Sequence, residues 1–257
     1  MTHVIPIPIL GDNFTYVHRC AGNRALVVDP GEAAAVLRSL KENDLSLAAV
    51  LLTHHHWDHV GGAAELRSKT HCEIIGTDRR LIPAPDRTVA DGETVTLAGV
   101  AVQVIGTPGH TRTSVSYHVP PQDRDQPGVV YTGDTLFTGG CGRPMECEPA
   151  VMWESLCKLA ALPEETRVCC GHDYTLESYE FATTIAPDHR PFRDRLAEIQ
   201  KAIEYGRPTV PSTIAQERST NIFLLATDPE IKSALGMPDA EAHEVFAELR
   251  HRKNLFG

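Results

Sequence analysis

Between Thr53 and Gly62 the chain reads T-H-H-H-W-D-H-V-G-G, so His54, His56, Asp58 and His59 fall within one short run. Three imidazoles and a carboxylate at that density are costly to bury as ordinary core and repel one another once protonated. A divalent cation removes both difficulties. The run follows Ala48-Ala49-Val50-Leu51-Leu52, an apolar stretch of the kind a buried strand shows, and leads into Gly61-Gly62 at a helix start. A strand, a ligand-rich loop and a helix in that order converge side chains on one place. The motif therefore points to a metal centre rather than a solvated histidine loop.

The 257 residues have room for one large domain, or for a domain of about 170 residues and a smaller one. A formal charge of −10 argues against nucleic acid and an anionic membrane surface as general partners, since phosphate binding needs a basic face. The exception is local: Arg250-His251-Arg252-Lys253 is a basic cluster. No apolar run is long enough to span a bilayer. No export signal is read at the start, where Pro6 and Pro8 interrupt the apolar stretch. The seven cysteines form no C-x-x-C pair and are expected as reduced thiols in a cytoplasmic protein, with Cys169-Cys170 in a half-buried strand.

Apolar patterning predicts strands at 4–9, 14–20, 24–29, 48–53, 73–75, 94–97, 100–106, 113–119, 129–132 and 166–170. Helical spacing predicts helices over 31–42, 61–69 and 149–161. Two runs of strands, each followed by helices, suggest an α+β four-layer αββα sandwich. After about residue 174 helical periodicity dominates. Leu196, Ile199 and Ile203 mark one helix, and Ala242, Val245, Phe246 and Leu249 another. The expected division is a sandwich over 1–173 and a small helical domain over 174–257.

Three further strands end on a residue able to ligate a metal. These are His110 in T-P-G-H-T, Asp134 in G-D-T-L-F and His172 in C-G-H-D-Y-T. Each alone reads more simply as a cap or a loop hydrogen-bonder. Four such strand ends in one chain shift the reading toward a shared centre.

H-x-H-x-D-H followed by these three motifs in this order resembles the metallo-β-lactamase superfamily. The whole chain is similar to its glyoxalase II (hydroxyacylglutathione hydrolase) family. The similarity includes Gly139-Gly140-Cys141-Gly142-Arg143, Pro208-Thr209-Val210-Pro211-Ser212 and Leu249-Arg250-x-x-Lys253. The resemblance implies the four-layer sandwich with a C-terminal helical domain. It also implies two divalent ions, zinc first and iron or manganese as alternatives. His54, His56 and His110 would hold one ion, Asp58, His59 and His172 the other, and Asp134 would bridge them, with Asp58 and Asp134 taking part in catalysis. Nitrogen and carboxylate ligands suit such ions, and two ions lower the pKa of a bridging water toward neutrality. His54 and His56 point one way in an extended loop and His55 elsewhere, and Trp57 is expected to pack the loop.

The activity implied is hydrolysis of S-D-lactoylglutathione to D-lactate and glutathione by a metal-bridging hydroxide, as part of methylglyoxal detoxification. Arg143, Tyr174, Arg250 and Lys253 would bind the glutathione moiety, with a monomer as the expected state. The plain alternative for Arg250 and Lys253 is a solvated helix end. Alternatives for the activity are a mononuclear-iron persulfide dioxygenase of the same fold and a thioester hydrolase of broader specificity. Met145 stands where the family often has an aromatic residue, and Asn254 where Asp is common. Both departures predict weaker or broader selection of the thiol moiety.

Overall fold

Burial follows the sequence alternation most clearly in Thr94–Leu97 and Val100–Gly106, where Val95, Leu97, Val100, Val102 and Val104 are buried. The residues between them face outward, so each strand has one core face. The computed structural model describes residues 3–79, 85–122 and 126–256. Within it the chain forms two compact units, Met1–Gly106 with Thr113–Gly133, and Thr107–Arg112 with Asp134–Gly257.

The first unit begins with β1 (Val4–Ile9), β2 (Asn13–Cys20) and β3 (Arg24–Val28), followed by α1 (Ala33–Glu42) and β4 (Ser46–Leu51). Next come α2 (Trp57–Val60), α3 (Ala63–Thr70), β5 (Glu73–Gly76) and β6 (Arg87–Thr88). β1 to β6 form one sheet in chain order, antiparallel from β1 to β3 and parallel from β3 to β6. β7 (Thr94–Leu97), β8 (Val100–Gly106), β9 (Val115–Val119) and β10 (Val129–Gly133) form an antiparallel run.

On one face of the first sheet, Val36 and Leu40 of α1 and Leu66 of α3 join Val27, Val50 and Ile74 in a continuous core. Each such side chain contributes about 1.5–3 kcal/mol when buried. The other face meets the antiparallel strands: the Tyr16 and Tyr131 rings lie 5.6 Å apart, and the Tyr117 hydroxyl donates to the Leu52 carbonyl at 2.9 Å. Helices, sheet and sheet thus make three layers within this unit.

The second unit contains the hairpin β11 (Leu136–Phe137) and β12 (Gly140–Cys141), then α4 (Pro149–Ala160), β13 (Arg167–Cys170), α5 (Thr175–Ile185) and α6 (Arg190–Glu204). β14 (Ser212–Thr213) pairs with β13, and α7 (Ile214–Thr220), α8 (Pro229–Leu235) and α9 (Ala242–Phe256) complete it. Phe181 stacks on Phe223 in its core, Phe246 meets Phe223 edge-on, and Trp153 of α4 meets Phe246 of α9.

Several expectations change. The helix expected over 61–69 is α3, and a separate short helix that was not expected, α2, precedes it, so Asp58 and His59 sit on a helical turn. Cys169 and Cys170 are wholly buried rather than half-buried. α5, α7 and α8 were not individually expected within the helical region after residue 174.

Candidate metal centre and adjoining pocket

In the first unit, parallel pairing of Val28 with Leu51 brings the ends of β3 and β4 level. Asp29, one residue beyond β3, therefore lies beside Thr53. Asp29 Oδ1 accepts from the Thr53 backbone N–H at 2.8 Å, and Oδ2 accepts from the Thr53 hydroxyl at 2.6 Å. His59 Nδ1 is 2.9 Å from the same Oδ2. A carboxylate only accepts, so His59 carries its proton on Nδ1 and its lone pair on Nε2. The single hydroxyl proton of Thr53 goes to Asp29, so Thr53 accepts from His54 Nδ1, 3.0 Å away. His54 likewise keeps its lone pair on Nε2, which lies 3.1 Å from Nδ1 of His56.

His56 is the extended residue before α2, and Asp58 follows in its first turn. Asn13, at the start of β2, donates to Asp58 Oδ2 at 2.8 Å, and His59 Nε2 is 3.4 Å from that oxygen. Asp29, Thr53 and Asn13 thus set the orientation and tautomers of groups able to ligate a metal, the usual task of an outer shell of hydrogen bonds. Trp57 does not pack the loop as expected; it is 70 % exposed, because the first position of α2 turns it away from the core.

The second unit places His110, Asp134 and His172 together. His110 Nε2 and His172 Nε2 each lie 3.4 Å from Asp134 Oδ2. His110 Nδ1 donates to the Arg143 carbonyl at 2.8 Å, which leaves the Nε2 lone pair toward the carboxylate. The Tyr174 ring stacks on His172 at 5.1 Å, with its hydroxyl 3.2 Å from Nδ1. Gly142 is required here, since a Cβ would run into the Asp134 carbonyl oxygen. Lone pairs of neutral imidazoles turned toward carboxylates in buried surroundings are a donor set that fits divalent cations in both units.

A cavity of about 300 Å³ in the second unit is lined by His110 and Asp134 and also by Arg143, Tyr174, Arg250 and Lys253. Arg250 is not on a solvated helix end: it is 7 % exposed, its Nη1 donates to the Cys141 carbonyl at 3.0 Å and its Nη2 to Asn254 at 2.8 Å. Its guanidinium lies 5.0 Å over the Phe223 ring, and its buried Nε has no partner. No carboxylate among the described residues pairs with it. Lys253 instead bonds Glu177. Arg143 and Met145 are exposed. Burial pushes the Cys141 thiol up to about 11, with Arg250 opposing, so it is not a thiolate at neutral pH.

Residues 9–172 match the family model for the metallo-beta-lactamase superfamily, and residues 173–256 match that for the hydroxyacylglutathione hydrolase C-terminus. A protein of Ruegeria pomeroyi named hydroxyacylglutathione hydrolase is 43 % identical over 256 residues, covering 98 % of each chain. The chain belongs to the hydroxyacylglutathione hydrolase family. Its fold is that of the metallo-β-lactamase superfamily, α+β with a C-terminal helical region, as the resemblance implied. Among solved structures, ETHE1 from Myxococcus xanthus has a TM-score of 0.67 at 24 % identity, covering 99 % of this chain and 92 % of that one. TTHA1623 in a di-iron-bound form has a TM-score of 0.61 at 25 % identity, covering 86 % of this chain and all of that one. No helix among the described residues of this hydroxyacylglutathione hydrolase family member is long and apolar enough to cross a membrane.

The motif histidines and aspartates had a visible signal in the strand-end pattern. Asp29 and Thr53 had a weaker one of the same kind, since each follows an apolar strand. Glu177 had none, because only the meeting of α5 and α9 identifies its partner.

Proposed function

We propose that this chain is a metal-dependent thioester hydrolase that cleaves S-D-lactoylglutathione to D-lactate and glutathione, in methylglyoxal detoxification. The observation that carries the reading is the cavity in which a buried, carboxylate-free Arg250 shares walls with His110 and Asp134. A buried guanidinium without a counter-ion is costly, and a ligand carboxylate offsets that cost. Glutathione supplies such a group, and the matched C-terminal region favours this substrate over the persulfide dioxygenase alternative.

In this reading His54, His56 and His110 hold one ion, Asp58, His59 and His172 a second, and Asp134 serves both, with zinc as the metal. Such ions, when bound, supply an activated water and an electrophile for the thioester carbonyl. The Nδ1 bonds of His54, His59 and His110 keep the Nε2 lone pairs available to the ions. Asn13 orients the Asp58 carboxylate. Arg143, Tyr174, Arg250 and Lys253 bind the peptide, and that remote binding orients the reacting bond. A thiol of pKa near 8.5 departs as thiolate without a strong general acid. Residues 174–257 act as the substrate-binding domain, and the seven free thiols suit a reducing cytoplasm.

Purified protein, with its metal content measured on the same sample, tests the proposal by loss of S-D-lactoylglutathione thioester absorbance. Turnover proportional to bound metal is expected. Metal-replete protein that leaves the thioester intact overturns the reading.

A further inference from the structure

Arg250 and Lys253 line the same cavity but differ in what already holds them. Among the described residues Arg250 meets only neutral acceptors, the carbonyl and sulfur of Cys141 and the Asn254 side chain. Lys253 donates to the Glu177 carboxylate, with the two side chains 13 and 46 % exposed. Its ammonium also lies 5.9 and 5.3 Å from the ring centres of Phe181 and Phe256. Glu177 stands in the first turn of α5, where the helix dipole favours a negative charge. The lysine is therefore fixed in place by two rings and largely neutralised before any ligand arrives.

An incoming carboxylate finds Arg250 open to it but has to share Lys253 with Glu177. Two carboxylates around one ammonium repel each other, and the partial exposure of Glu177 reduces that repulsion without removing it.

We propose that Glu177 is a specificity-determining residue of this pocket, a carboxylate of the protein's own that competes with the substrate's terminal carboxylate for Lys253. It lowers affinity for glutathione thioesters and narrows their advantage over thioesters uncharged at that end. The inference rests on the glutathione-thioester reading and deepens it. Glu177→Gln keeps an oxygen acceptor for Lys253, and the two rings continue to hold the ammonium, so the substitution removes the competing charge alone.

The test is the kinetics of Glu177→Gln on S-D-lactoylglutathione and on the same thioester with its glycine carboxylate converted to the amide. KM for the carboxylate substrate is expected to fall about three- to tenfold with kcat unchanged, while KM for the amide stays put. In a Lys253→Ala background the same substitution is expected to change KM by less than twofold. A KM that is unchanged or higher, or that falls equally for both substrates, overturns the proposal. If the parent protein turns over neither thioester, the hydrolase reading fails by itself. Calorimetry with glutathione then tests Glu177 alone: tighter binding to the variant supports the competition, and equal or weaker binding overturns it.

Discussion

Replacing Asp29 by Asn tests whether the ligating nitrogens are set by the hydrogen-bond network of the first unit. Asp29 accepts three bonds, from the Thr53 N–H, the Thr53 hydroxyl and His59 Nδ1. An amide keeps the shape but offers one oxygen. With that oxygen facing the Thr53 N–H, its NH₂ stands where Oδ2 was and donates to Thr53 Oγ1 and His59 Nδ1. The Thr53 hydroxyl then turns its proton to His54 Nδ1, and both histidines move their own proton to Nε2. The buried bonds are still made, so the metal-free fold should lose no more than about 1–3 kcal/mol, the cost of one imperfect buried bond. Both Nε2 lone pairs, however, are gone. Loss of outer partners of metal ligands costs about 10–100-fold in metal affinity, which is ~1.4–2.7 kcal/mol. Competition with a chromophoric chelator reads this without reference to turnover, and melting of the metal-free proteins checks the fold. A variant that competes for metal as well as the parent refutes the tautomer argument. So does a metal-free variant that is unfolded, since the loss would then belong to the fold.

Three other perturbations separate the parts of the site. Asp134→Ala removes the oxygen shared by His110 and His172, and metal analysis should show lowered occupancy together with loss of thioester hydrolysis. Arg250→Lys keeps the charge but not the fork that reaches Cys141 and Asn254, so KM is expected to rise about tenfold or more with kcat little changed in steady-state assays. Burial, reinforced by the charge of His3, pushes the pKa of His18 down to about 4 from its ordinary 6.5. Between those values the unfolded chain binds a proton that the native protein does not, so stability falls as pH drops from 6.5 toward 4, by up to about 3 kcal/mol. Denaturant melts of metal-free protein across that range should show a shallower slope for His18→Gln.

Much of the fold was legible because long strands and amphipathic helices declare themselves by period. β8 alternates residue by residue, and α6 and α9 are marked in the sequence by Leu196, Ile199, Val245, Phe246 and Leu249. All are buried except Leu196, which is half-buried, while Ile203 of the same expected α6 face is exposed. The two-residue strands β6, β11, β12 and β14 are too short to carry a period. α8 was recoverable from its ends: Asp228 caps it, Pro229 opens it and Gly236 closes it at φ +75°. At the site, residue types named the candidate ligands, whereas their orienting partners depend on strand register. Asp29 is meaningful only because β3 and β4 run level. The ion pair of Lys253 was illegible for the same reason, its two members standing far apart in the chain.

In the proposed reading, the bond from His110 Nδ1 to the Arg143 carbonyl joins ion binding and substrate binding in one stretch of backbone. A thiol-bearing guest that draws the Arg143 side chain inward also tugs on the peptide group that steadies the imidazole. Thermodynamic reciprocity then requires that whatever such a guest does to the grip on the cation, the cation does equally to the grip on the guest. Loaded and stripped protein should accordingly differ in affinity for the tripeptide by the same factor by which the tripeptide alters the hold on the ion.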